Sequence, residues 1–151
     1  MRSIGENIME TDQSKSLGRF LDAQKGVYEK ALNEIRKGRK TSHWMWFIFP
    51  QIKGLGRSDI AEYYGIESLD EAKAYLSNDI LSERLLEICE VLLNLEENDP
   101  AVIFGYPDNL KLKSSMTLFA LADPNCPIFQ AVLDKLYDGK QDTETRKIVL
   151  G

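Results

Sequence analysis

The chain has 151 residues, 43% of them hydrophobic and 28% charged, with a net charge of -5 from 19 basic and 24 acidic side chains. That length fits one domain whose core is large enough to need no disulfide or metal staple. The acidic balance, with no visible run of Lys or Arg, argues against nucleic acid as the main partner.

No stretch approaches the ~18 uninterrupted apolar residues of a membrane span. No apolar run ahead of a small-residue cleavage site marks a secretory signal, so neither membrane nor export is expected. Cys89 and Cys126 stand apart among apolar neighbours and read as buried thiols of a reducing, cytoplasmic environment. His43 is the one histidine, and no HExxH or EF-hand spacing occurs, so no metal is expected. The Rossmann fingerprint is also absent, and no cofactor is expected.

Residues 1–16 are polar and aperiodic and read as a flexible N-terminal tail. Residues 17–151 read as a single helical domain. The spacing of Phe20, Leu21, Val27, Tyr28, Ala31, Leu32 and Ile35 predicts one helix from about Leu17 to Lys37, closed by Gly38. Thr41 or Ser42 is then expected to cap a short aromatic helix through Phe49, which Pro50 ends. Every position from Trp44 to Phe49 is apolar, a pattern that a buried strand also fits; the helical neighbours and the lack of a partner strand favour helix. Ser58 should cap a helix ending at Gly65. Ser68 and Glu71 form a capping box that opens a helix to about Leu76. Asn78 or Asp79 starts a long helix to about Glu96. Asp99-Pro100 opens a brief turn, Pro107-Asp108 a helix to about Ala122, Pro127 a helix ending before Gly139, and Asp142 a last short one. The expected fold is all-α, a compact array of about six to eight helices.

Two stretches stand out. Residues 41–56 hold both tryptophans, two of the six phenylalanines and the histidine, and break at Pro50 into a loop carrying Gly54 and Gly56. The helix from Asp108 carries Leu112, Met116 and Phe119 as an apolar stripe beside Asp108, Lys111 and Ser115, which lie three and four residues apart. Small hydroxyls dominate there instead of the usual Glu/Lys mixture. They suit either a solvated face or the close approach of another helix or a ligand.

Trp44-x-Trp46-Phe47-Ile48-Phe49-Pro50-Gln51, Gly54-Leu55-Gly56-x-Ser58 and Tyr64-Gly65-Ile66 resemble a bacterial family of unknown function whose members often carry a calpastatin-like label. Residues 111–119 and the stretch Asp138-Gly139-Lys140-Gln141-Asp142-x-x-Thr145 are similar to the same family. The resemblance runs from about Leu17 to the C-terminus. It implies a small all-helical domain and no particular reaction.

Each candidate site residue has a plain structural reading beside the functional one. Trp44 and Trp46 are core residues, or rings on which a base or sugar stacks. Gln51 bonds loose backbone, or reads a ligand's edge. His43 is a surface or capping residue, or a base with no carboxylate to orient it. Asp108 is a helix cap, or an acid/base whose pKa burial has moved. Lys111 holds a phosphate or carboxylate as a point charge, with Ser115 beside it. The leading expectation is a helical domain that binds a small polar or anionic, nucleotide-like ligand in a cleft walled by Trp44, Trp46 and Phe49. Gln51, Asp108, Lys111 and Ser115 would be its polar contacts. The alternatives are a hydrolase or glycosidase-type enzyme on a nucleotide-like substrate, with Asp108 and Lys111 as its weak catalytic candidates, and a protein-interaction module. A monomer or small homo-oligomer is expected.

Overall fold

The computed structural model describes residues 17–151, so the expected tail over residues 1–16 lies outside the described residues. Ten helices fill the described part: α1 (residues 17–24), α2 (Tyr28–Arg36), α3 (Met45–Ile48), α4 (Asp59–Tyr64), α5 (Leu69–Ser77), α6 (Asp79–Asn94), α7 (Pro100–Phe104), α8 (Asp108–Ala122), α9 (Ile128–Tyr137) and α10 (Thr143–Leu150). No strand forms among the described residues, and one isolated parallel bridge joins Ile52 to Ile66. The fold is all-α as expected, with more helices than the six to eight foreseen.

Part of the surplus comes from the first helix. It does not run through to Lys37 but breaks between residues 24 and 28, where Gly26 takes a φ of +76° and Val27 N–H bonds back to the Gln24 carbonyl. A left-handed residue cannot continue a right-handed helix, and apolar periodicity runs across such a break without showing it. Gly38 closes α2 as foreseen: its φ is +80°, its N–H bonds to the Ile35 carbonyl, and Arg39 N–H reaches the Glu34 carbonyl. That pairing is the Schellman arrangement.

Caps set most of the remaining boundaries. Ser58, Asn78, Asp99 and Asp142 each accept a backbone N–H from the first turn of the helix they precede. Ser68 does the same for α5, but Glu71 Oε1 accepts from Glu67 N–H, one residue before the expected reciprocal partner. The same oxygen takes Arg19 at 2.9 Å, tying α1 to α5. Neither Thr41 nor Ser42 caps α3, contrary to expectation; Trp44 sits at the N-cap, and its side chain makes no capping bond. Thr41 and Ser42 instead give their backbone N–H groups to Glu34 Oε1, at 2.7 and 2.9 Å, and Trp44 Nε1 donates to the same oxygen at 3.0 Å.

The core centres on α8, which packs against α5, α7, α9 and α10. Leu112 and the run from Ser114 to Phe119 are all buried, so the middle of the helix is enclosed on every side and not only along the expected stripe. The hydroxyls serve close packing. Ser114 and Thr117 bond back to the Leu110 and Lys113 carbonyls, and Thr117 Oγ1 also accepts from Asp142 N–H at 2.8 Å. That last bond anchors the start of α10. Rings of Phe20, Tyr75, Phe119 and Phe129 follow one another at centroid distances of 5.2, 5.2 and 5.6 Å, linking α1, α5, α8 and α9. Trp44, Phe49 and Phe104 form a second cluster under α7.

Candidate functional site: a cleft between the aromatic helix and α8

A cleft lies where α3, the glycine loop and α4 face the start of α8. Trp46, Gln51, Leu55, Tyr64, Pro107, Lys111 and Ser114 line it, around a cavity of about 180 Å³. The loop is shaped by close backbone approaches. Ile66 N–H bonds to the Gln51 carbonyl and Lys53 N–H to the Ile66 carbonyl, both at 2.8 Å, drawing the strands of chain on either side of α4 together. Gly65 permits that approach, because a Cβ there would lie 2.9 Å from Lys53 Cα and Cβ. Gly56 likewise leaves room for Ala61, whose Cβ would stand 2.7 Å from one added at residue 56.

Charge beside the cleft centres on Asp108, behind Lys111. Its Oδ2 meets Lys40 Nζ at 2.7 Å and its Oδ1 meets Lys111 Nζ at 3.1 Å. Burial raises the Asp108 carboxyl, but hydrogen bonds and charge from the two lysines outweigh it and hold the group below the usual carboxylate range. Lys40 is itself buried, with 7% of its side chain exposed, and donates to the Ser42 carbonyl at 2.6 Å. Two ammonium groups against one carboxylate leave this cluster with one net positive charge, on a chain whose overall charge is -5. Lys111 Nζ stands 4.4 Å from the centroid of the Trp46 ring, a cation–π contact worth roughly 0.5–1 kcal/mol where water has access.

Two residues of the cleft carry unspent hydrogen-bonding groups. The Gln51 side-chain amide and the Tyr64 hydroxyl have no protein partner among the described residues, and both residues line the cleft. Tyr64 is held by its ring against Phe20 and Phe47, at 6.0 and 5.3 Å. Its hydroxyl pKa is raised, chiefly by burial and then by Tyr63, with Arg19 opposing. It is therefore a neutral donor at ordinary pH.

The candidates from sequence divide cleanly. Trp46, Gln51 and Lys111 meet in the cleft, and Asp108 stands behind Lys111. Trp44 and Phe49 do not wall it: both are fully buried in the core, and the Trp44 N–H is committed to Glu34. Ser115 does not reach it either; it is fully buried, and its Oγ finds no partner among the described residues. The hydroxyl at the cleft is Ser114, one residue earlier, and it completes the face Pro107, Leu110, Lys111, Ser114. That face follows the i, i+3, i+4, i+7 rule, and counting from Pro107 finds it. His43 is exposed and apart from the cleft. Among the described residues no group of three or more His, Cys, Asp or Glu side chains is placed to hold a metal. No described helix is long and apolar enough to cross a membrane.

Comparison with known proteins agrees with this picture at the level of family and fold. The chain matches a crystal structure described as a conserved hypothetical protein from Mycobacterium tuberculosis, with 47% sequence identity and a TM-score of 0.87. The match covers 89% of this chain and 96% of the other. No curated protein matches. The model of the family described as "Protein of unknown function (DUF1810)" matches residues 14–149, and with nearly the whole chain inside that match, the protein belongs to this family.

Proposed function

We propose that this protein binds a small anionic ligand carrying a flat ring, nucleotide-like in its chemistry, in the cleft between α3, α4 and α8. One observation carries the reading: the Lys111 ammonium, tethered to Asp108, projects over the Trp46 indole in a cleft that Gln51 and Tyr64, with side-chain polar groups unspent among the described residues, also line. A positive point charge suits a phosphate or carboxylate, an indole suits a base or sugar ring, and an unpaired amide suits the polar edge of that ring. The cavity of about 180 Å³ falls below the ~300–1,000 Å³ that encloses a drug-sized ligand. Part of the ligand therefore stays outside.

The hydrolase or glycosidase reading would put acid/base work on Asp108. A carboxylate with an ammonium on each oxygen and a lowered pKa carries no proton to donate near neutral pH, so it favours binding over catalysis. The interaction-module reading draws on exposed Tyr63, Tyr106 and Leu110, of which Leu110 rims the cleft; light scattering tests it through the oligomeric state. The protease-inhibitor role that a calpastatin-like label suggests has little physical support, since such inhibitors are disordered segments that fold on binding and this chain buries a continuous core. Free thiols at Cys89 and Cys126 suit a reducing compartment such as the cytoplasm.

The test is a thermal-shift screen of nucleotides, sugar phosphates and inorganic phosphate, followed by calorimetry. A ligand from the phosphorylated set should bind, and Lys111→Ala should weaken it ~10-fold or more, as expected for losing one charge-assisted contact. A screen in which no anionic ring compound binds, or in which Lys111→Ala binds as well as the parent, would sink the reading.

A further inference from the structure

The Lys111 ammonium does more than mark a positive spot. Trp46 and Lys111 both line the cleft, and Nζ lies 4.4 Å from the indole centroid, in the space that a stacked ring would need. A ligand ring and the ammonium cannot occupy that face together. We propose that Lys111 is a charge-operated cover on Trp46: an anionic group draws the ammonium off the indole, and only then does the ligand's ring stack. The site would thereby select phosphorylated ring compounds of mononucleotide size over their uncharged counterparts. This rests on the reading of the cleft given above and adds the order of events and the ligand class.

Three features suit the device. Lys111 hangs on a flexible four-carbon stem and is partly exposed, with 24% of its side chain open to solvent, so it moves at little cost. Its tether is a single ion pair to Asp108 across one helical turn. Asp108 keeps its place when Lys111 swings away, because buried Lys40 holds the other carboxylate oxygen at 2.7 Å. Lys40 in turn is fixed by the Ser42 carbonyl and by its own N–H to the Ile103 carbonyl at 2.7 Å. Lys40 is a positioning residue. It lets Asp108 release Lys111 without leaving a buried carboxylate unpaired.

The size of the cavity sets the ligand's posture. About 180 Å³ accommodates a ring or a phosphate but not a whole nucleotide. The ring enters over Trp46 toward Gln51, and the phosphate stays at the mouth with the displaced ammonium.

The experiment compares adenosine monophosphate with adenosine, which differ by the phosphate alone, against the parent protein, Lys111→Ala and Lys111→Arg by calorimetry. The parent should prefer the phosphorylated compound ~10-fold or more. Lys111→Ala should bind adenosine several-fold more tightly than the parent and adenosine monophosphate more weakly, erasing the preference, while Lys111→Arg restores it. On the unaltered protein, inorganic phosphate should increase acrylamide quenching of Trp46, read as the difference from Trp46→Phe. Adenosine binding that is unchanged or weaker in Lys111→Ala, or phosphate that binds without altering Trp46 quenching, overturns the cover yet leaves the binding site standing. Failure of the parent to bind either compound or phosphate overturns both.

Discussion

Glu34 shows how one side chain organises a loop. A single carboxylate oxygen takes the N–H groups of Thr41 and Ser42 and the indole N–H of Trp44. Burial opposes the charge, but these donors and the Ser42 side chain prevail, and the carboxyl is lowered from 4.5 to about 2. A depressed carboxyl contributes stability that is full above its unfolded value and lost as pH falls through its folded one. Urea unfolding should therefore show Glu34's contribution declining from about pH 4.5 toward pH 2. Glu34→Gln should cost ~1–3 kcal/mol at pH 7 and flatten that part of the profile, because a charge-assisted acceptor is lost at a buried site. An unchanged profile would show that the carboxylate does not hold the loop. The same scale explains what sequence could and could not tell. Lys111 was legible as a cation three and four residues from Asp108 and Ser115, and Gln51 as an amide after the helix-ending proline. The division of labour between the two tryptophans was not. Every residue from Trp44 to Phe49 is apolar, so the run carries no phase and cannot say which indole faces the core. Three-and-four spacing from Asp108 points to Ser115, whereas the cleft face starts at Pro107 and carries Ser114.

Helix ends with side-chain caps or proline starts were readable because the capping oxygen precedes its helix in sequence; Ser58, Asn78, Asp99 and Asp142 are examples. The break between α1 and α2 escaped because Gly26 interrupts the backbone without interrupting the apolar pattern. Stretches that signal the family also prove structural at this scale. Asp142 caps α10 and gives its own N–H to Thr117 of α8, joining the two later family stretches by one hydrogen bond. Thr117→Val should destabilise the fold by ~1–3 kcal/mol by orphaning that N–H, a loss that denaturant unfolding would register; an unaltered midpoint would contradict the account of the α8–α10 junction. The glycine loop makes an equally direct prediction. Gly65→Ala places a methyl 2.9 Å from the Lys53 backbone, which should cost ~1–3 kcal/mol by overpacking. It should also part the chain on either side of α4 and weaken ligand binding. Full stability with full binding in this variant would mean that the close approach is dispensable.

Across the whole molecule, helices pack around α8, which is enclosed from Ser114 to Phe119, while its first turn is half-exposed beside the cleft. The all-α class followed from periodicity alone. The meeting of residues 46–64 with residues 107–114 did not, since nothing local in either stretch records the other. A chain of net charge -5 repels anions at long range, so the positive Lys40–Asp108–Lys111 cluster acts only close by, and binding should weaken as added salt screens it. The two indoles supply the most direct measurement. Trp44 is sealed in the core on Glu34, and Trp46 lies in the cleft under Lys111. In an NMR titration with adenosine monophosphate, the Trp46 indole N–H resonance should move and saturate while that of Trp44 stays still. Two stationary indoles, or shifts that spread without saturating, would contradict the assignment of this cleft as the binding site.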